Sequence, residues 1–302
     1  MSDSDAETPP RGPASPVDRL QGMAGFPRFA WQRGRVGPFA DASVSLADRG
    51  LLFGESVYEV LPITAGRTRW IGAHFARMRE GAASLSLAVP PWLHPPVAWP
   101  DALVAAEGIT DGLLYVQLTG GPAPRAHLGA GAGDMFAYAM PHDFPDAARR
   151  ARGIGVILRD ELRWARCDLK TTMLLPSILG KRDARAGGAD EVLWVDARGT
   201  VVEGGSSNLA IVEGEAIVTP PPGPWRLPGI TLAIVEGLAG AMGLRWRFET
   251  ITRERLRQAD EVFVTATSQL VMPVVTIDGV AVGTGPIAKR LGDALAEAMS
   301  RG

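Results

Sequence analysis

The chain has 302 residues, 46% hydrophobic and 21% charged, enough for one large or two medium domains with sizeable cores. A formal net charge of −2 gives no electrostatic reason to expect nucleic acid or an anionic membrane as partner. One cysteine, Cys167, excludes an intramolecular disulfide and a Cys-rich zinc site; with no membrane-length apolar stretch and no secretory pattern, a cytoplasmic protein is expected.

Residues 1–25 are polar and proline-rich, so a mobile tail is expected there. Arg33-Gly34-Arg35-Val36 predicts a hairpin turn between short strands, and Asp48 to Glu55 a tight loop. Ser56 to Ile63 alternates as a strand, with Tyr58 and Val60 on one face and Val57 and Glu59 on the other. Ala65-Gly66-Arg67 turns the chain back. Residues 72–86 read as a helix on which His74 and Arg77 are neighbours. Pro90 to Pro100 interrupts regular structure. Gly112 to Thr119 and Met135 to Met140 read as strands, joined through a loop that carries Arg125 and His127.

Pro141 to Pro145 reads as a linker, because two prolines block a continuing sheet. The expected division is a first domain over 26–141, a linker over 142–148 and a larger domain over 149–302. In the second half, strands are expected at Gly155–Leu158, Glu191–Val195, Leu209–Val212, Trp246–Phe248 and Glu261–Val264. A helix should follow Lys170 and end near Gly187. Others should run from Ile230 to Met242, over Arg253–Arg257 and from Pro286. Turns are expected at Asp196–Gly199 and at Ile277-Asp278-Gly279.

Basic residues are almost all arginine; Lys170, Lys181 and Lys289 are the only lysines. Arginine keeps its proton near neutral pH and cannot form a Schiff base, so carbonyl–amine chemistry would fall to one of these three. Lys181 and Lys289 lie in polar, solvated-looking stretches, whereas Lys170 precedes Met173-Leu174-Leu175. Alone, Lys170 reads as a helix-start lysine paired with Asp168; the motifs that accompany it reverse that reading. Gly229-Ile230-Thr231 opens a helix whose free N–H groups can bind an anion, with Thr267, Ser268 and Arg77 as further donors. Alone, Thr231 reads as a helix cap and Arg77 as a solvated arginine. Glu203, beside small residues, could face a pyridine nitrogen or be a strand-end carboxylate. Arg125, His127 and Tyr58 could trap a carboxylate or decorate a surface loop and a half-buried strand. No nucleotide-binding glycine loop is present. Eight scattered tryptophans leave a non-catalytic carbohydrate- or peptide-binding module as a rival, although core packing explains them as well.

The order and spacing of these parts resemble the fold-type-IV pyridoxal-phosphate-dependent aminotransferases, and within them the D-amino-acid transaminases. The markers are Asp48-Arg49-Gly50 with Phe53-Gly54, Val57-Tyr58-Glu59-Val60, His74-Phe75-Ala76-Arg77 and Pro124-Arg125-Ala126-His127. They continue with Arg166 to Lys170, Glu203 to Asn208, Gly229-Ile230-Thr231 and Thr267-Ser268. The resemblance implies an α/β (α+β) fold of two domains, a small N-terminal α/β domain and a larger cofactor-binding domain with a pseudo-barrel sheet. It implies pyridoxal 5′-phosphate on Lys170, Glu203 at the pyridine nitrogen, and Arg77, Ile230, Thr231 and Thr267 at the phosphate. Ser207 and Asn208 lie beside the cofactor by the same likeness, and Tyr58, Arg125 and His127 at the substrate carboxylate. The family's Arg/His loop reaches in from the other subunit, which implies a homodimer acting on amino and keto acids, without nucleic acid, membrane or metal.

Branched-chain aminotransferases usually carry a tyrosine where this chain has Leu175. Glu55-Ser56, Gly120, Met173, Leu232 and Gln269-Leu270 depart from the usual D-amino-acid pattern; none removes a catalytic group, but together they leave the side-chain pocket, and so substrate preference, open. An (R)-amine or a branched-chain L-amino acid is therefore the alternative substrate class.

Overall fold

The computed structural model describes Met23 and residues 25–129 and 131–301. Residues 1–22 and 24 lie outside the described residues, so the expected mobile tail falls almost wholly there. The fold is mixed α/β around two sheets.

The first sheet has six antiparallel strands in the order β2-β1-β6-β5-β3-β4. They are β1 (Phe29–Gln32), β2 (Arg35–Pro38), β3 (Ser56–Thr64), β4 (Arg67–Thr68), β5 (Gly112–Thr119) and β6 (Asp134–Pro141). Gln32 pairs with Arg35, so the β1–β2 turn is Arg33-Gly34 alone, both at positive φ (52° and 84°), which suits a two-residue hairpin. In β3 the alternation holds: Val57 and Glu59 are buried, while Tyr58 and Val60 face the half-open side. Helix α2 (Ile71–Ser84) packs Phe75, Met78 and Ala82 onto the core side beside Val57 and Leu61.

Three helices replace expected irregular chain. Asp48–Glu55 contains α1 (Arg49–Phe53), with Asp48 Oδ1 accepting from the N–H of Gly50 and Leu51. The proline-rich stretch opens α3 (Trp99–Glu107), because proline is tolerated in a first helical turn. The end of the expected linker and the residues after it form α4 (Ala147–Arg152), capped by Asp146.

The second sheet has nine strands, ordered β12-β11-β10-β13-β14-β7-β8-β9, with β15 on β14. They are β7 (Ile154–Asp160), β8 (Glu191–Val195), β9 (Val201–Gly204), β10 (Asn208–Glu213), β11 (Ala216–Thr219), β12 (Arg245–Phe248), β13 (Glu261–Ala266), β14 (Leu270–Ile277) and β15 (Val280–Ala281). Helices α5 (Leu175–Ala186), α6 (Ile230–Ala241), α7 (Arg253–Gln258) and α8 (Pro286–Arg301) pack around it. Strands β8, β9 and β10 are buried almost throughout, as expected of strands covered on both faces. Among the described residues no helix is long and apolar enough to cross a membrane.

Candidate active site

A cavity lies where β3 meets the strand ends of the second sheet. Its walls include Tyr58, Arg77, Lys170, Glu203, Ser207, Asn208, Ile230, Thr231 and Thr267. Lys170 sits half-buried against β3: its carbonyl accepts from the Tyr58 N–H at 3.0 Å, and its Nζ lies 4.2 Å from the centre of the Tyr58 ring. Asp168 is gripped by Arg166 instead, through two 2.9 Å hydrogen bonds. The other lysines are engaged elsewhere. Lys181 does not sit on a merely solvated face; its Nζ is 3.4 Å from the buried Glu191. Lys289 pairs with Asp293 on α8.

One end of the cavity suits an anion. Helix α6 starts at Ile230 behind Gly229, and no side chain caps it, so its first N–H groups remain available. Thr231 is therefore not the cap. Gly229 leaves no room for a Cβ, which would run into Asn208 Oδ1. Arg77 reaches this helix start and donates to the Pro228 carbonyl at 2.7 Å. Its Nε and Nη2 donate to the two Glu59 oxygens, both at 2.7 Å.

Glu59 is a site residue that motif reading missed, although the alternation of β3 places it on the apolar face, where a carboxylate requires partners. It is fully buried and also meets His74 Nδ1 at 2.7 Å. Burial alone would raise its carboxyl, but Arg77 and His74 outweigh that and hold it at about 2, against an ordinary 4.5. Burial in turn lowers His74. A depressed carboxyl stabilises the fold fully above the unfolded value and loses that effect as pH falls through the folded one. Glu59→Gln is therefore expected to lower the unfolding free energy by ~3 kcal/mol at neutral pH. That deficit should shrink between pH 4.5 and 2. Denaturant titrations of both proteins across pH check it; a deficit that does not vary with pH would refute the ion-pair origin.

Glu203, on β9 and 4% exposed, also lines the cavity. Oε1 accepts from Arg163 Nη1 at 2.5 Å; Oε2 accepts from Asn208 Nδ2 at 3.0 Å and the Leu227 N–H at 3.1 Å. Burial pushes its carboxyl up to about 7, with Arg163 and the Leu227 N–H opposing. Arg163, also bonded to Glu161, is a second residue the sequence did not disclose; no motif marks it. Ser207 Oγ donates to Glu191 at 3.2 Å, and Gly204 has no space for a side chain beside it. Cys167 lines the wall, its thiol donating to the Trp164 carbonyl and pushed up to about 11 by burial, as suits a structural cysteine.

A buried acid ringed by donors, an uncapped helix start with a clamped arginine, and a lysine on the same cavity wall fit pyridoxal phosphate. The Thr265 hydroxyl, buried on the same wall and without a hydrogen-bond partner among the described residues, is consistent with a polar ligand. Arg125 and His127 are not brought into this cavity. Both are exposed, with Arg125 over the Phe53 ring at 5.6 Å and His127 edge-on to it at 5.8 Å. Leu175 is exposed and off the cavity wall, while Met173 lies on it.

The model of the amino-transferase class IV family matches residues 56–277. A D-alanine aminotransferase of Bacillus licheniformis is 35% identical over 267 residues, covering 87% of this chain and 94% of that protein. That of Staphylococcus haemolyticus is 34% identical over 258 residues, with 83% and 90% covered. Among solved structures, a branched-chain amino acid aminotransferase from Escherichia coli has the same fold, with a TM-score of 0.82 at 24% identity, covering 91% of this chain and 95% of that one. A branched-chain amino acid aminotransferase from the thermophilic archaeon Thermoproteus uzoniensis, solved with norvaline, gives 0.79 at 25% identity with the same coverages. Another branched-chain amino acid aminotransferase, complexed with N-(5′-phosphopyridoxyl)-L-glutamate, gives 0.79 at 27% identity, again with those coverages.

Proposed function

The chain belongs to the class IV aminotransferases, and on that premise we propose that it moves the amino group of a D-amino acid to a 2-oxo acid, with pyridoxal 5′-phosphate as cofactor. What supports this is the convergence in one cavity of Lys170, the buried Glu203 and the Arg77-flanked helix start. Preference for the D-series is supported by relatives of 34–35% identity over most of the chain, both D-alanine aminotransferases.

When bound, pyridoxal phosphate supplies an aldehyde for the amine and an electron-accepting ring for the pair left at the substrate Cα. Lys170 would hold the cofactor through its Nζ, and the same amine, when free, would be the base that takes and gives back a proton at the substrate Cα. Glu203 holds the pyridine nitrogen in its protonated form. Arg77, Ile230, Thr231 and Thr267 hold the phosphate, and Ser207 and Asn208 shape the wall between. Tyr58 lies beside Lys170, on the substrate side. Arg125 and His127 bind the substrate carboxylate in the cavity of a partner subunit, which accounts for their exposure here and makes the enzyme a homodimer. The two sheets form two domains joined at 142–148, and the enzyme works in the cytoplasm.

D-Alanine, L-leucine and (R)-1-phenylethylamine, each with 2-oxoglutarate, test the specificity: D-alanine is expected to turn over fastest. Faster turnover of L-leucine would give the enzyme to the branched-chain class, whose fold it shares. Arg125→Ala is expected to raise KM for D-alanine by roughly 10–100-fold, the loss of a charge-assisted hydrogen bond. KM for the carboxylate-free amine should stay put; initial rates measure both.

A further inference from the structure

The loop that carries Arg125 and His127 is held by one buried side chain. Arg49, 4% exposed at the start of α1, donates through Nη1 to the Ala126 carbonyl at 2.7 Å and through Nη2 to the His127 carbonyl at 3.2 Å. Its guanidinium lies 5.1 Å from the centre of the Phe53 ring, the same ring that Arg125 and His127 approach. The Arg49 N–H bonds the Gly121 carbonyl at 3.0 Å, which ties α1 to the loop's beginning as well.

Arg49 is in turn set by Glu55, whose Oε2 accepts from its Nε. Five donors on a planar fork are directed by whichever acceptors surround them. Here Glu55 takes Nε, and the two outer nitrogens are left for the loop. The space for Glu55 is made by Gly120: a Cβ there would stand 2.8 Å from Glu55 Oε2 and 3.1 Å from Arg49 Cβ. The backbone agrees, since the Gly120 N–H donates to the Glu55 carbonyl at 2.9 Å. Glu55 and Gly120 are both departures from the D-amino-acid pattern, and the structure makes them one matched pair.

We propose that Glu55, acting through Arg49 and given room by Gly120, is a positioning residue that sets where the Arg125/His127 loop presents its side chains to the substrate carboxylate. It touches neither substrate nor cofactor, and neither Glu55 nor Gly120 is on the cavity wall. This rests on the reading of Arg125 and His127 as the carboxylate site. Losing the Glu55 charge, or pushing it aside, leaves Arg49 free to turn away from the two carbonyls and lets the loop wander.

The experiment compares Glu55→Gln and Gly120→Ala with Arg125→Ala in the loaded enzyme, on D-alanine and on (R)-1-phenylethylamine. Glu55→Gln keeps the side-chain volume, and Gly120→Ala keeps every polar group, so one variant remains if the other folds poorly. Both are expected to raise KM for D-alanine roughly tenfold, with kcat and the KM for the amine within about twofold of the parent. If Arg125→Ala shows the split and neither other variant does, Glu55 does not position the loop. If Arg125→Ala shows no split, the carboxylate site is wrongly placed and the proposal falls with it. A rise in KM for both substrates alike also overturns it, because that pattern marks general damage to the cavity.

Discussion

Lys170→Ala is expected to lower kcat by on the order of 10⁴–10⁶-fold, the scale on which removal of a covalent catalyst acts. The size follows from the absence of a substitute. Among the described residues Lys170 is the only lysine on the cavity wall; Lys181 is held against Glu191 and Lys289 lies on α8 with Asp293. Every other cation at the site is an arginine, which cannot give up its proton near neutral pH. Stability should change little by comparison. Lys170 Nζ makes one cation–π contact, with Tyr58, of a kind that contributes about 0.5–1 kcal/mol, and its backbone bond to Tyr58 survives the substitution. The visible absorbance of the cofactor-loaded enzyme should vanish while the far-ultraviolet circular dichroism stays. Added methylamine should restore part of the turnover, since the space vacated by the side chain opens into the cavity. A variant that keeps both the visible band and turnover would show the wrong amine has been assigned.

How far such a site can be read from sequence differs residue by residue. Scarcity singled out Lys170, and the cavity holds it. The glycine before Ile230 pointed to a helix start, and the helix does begin there, with no side-chain cap among the described residues. Glu59 could have been read as well: a carboxylate in phase with Val57 and Leu61 must find buried partners, and His74 and Arg77, three apart, were its obvious ones. Arg163 could not, because it lies on irregular chain after β7 and meets Glu203 only across 40 residues of sequence. Among the helices, α1 has five residues, too few to show a period, and only its Asp48 cap and Gly54 at φ 70° betray it. In α3 the proline that suggested a break stands in the first turn, where its missing N–H does no harm. Arg125 and His127 were recognised as a pair by spacing, yet within one chain both are exposed and off the cavity wall, and no local pattern says what they meet.

Glu203→Gln is expected to lower kcat by roughly 10²–10³-fold, comparable to losing one preorganised electrostatic partner. The carboxylate presents about four lone-pair directions, and Arg163, Asn208 and the Leu227 N–H occupy three. All three neighbours are donors, so the remaining direction is left for a further donor, which on the proposed reading would be the protonated ring nitrogen. An amide has the same shape but must turn an NH₂ toward Arg163 or toward Asn208 and Leu227, which strands a buried donor at a cost of about 1–3 kcal/mol. If Glu203 faces the ring nitrogen as proposed, the amide would also remove the anion that would keep that nitrogen protonated, and the ring would withdraw electrons less strongly. The cofactor-free protein gives an independent reading. Burial raises the folded carboxyl to about 7 from 4.5. Between those values the folded state binds a proton that the unfolded state has lost, so stability should decline as pH climbs through that window and level off above it. The Gln variant lacks this group and should show a flatter profile over the same range. A Gln variant with the parent's kcat would remove Glu203 from the ring nitrogen. An identical pH profile in the two proteins would mean that the ion pair with Arg163 keeps the carboxyl ionised throughout.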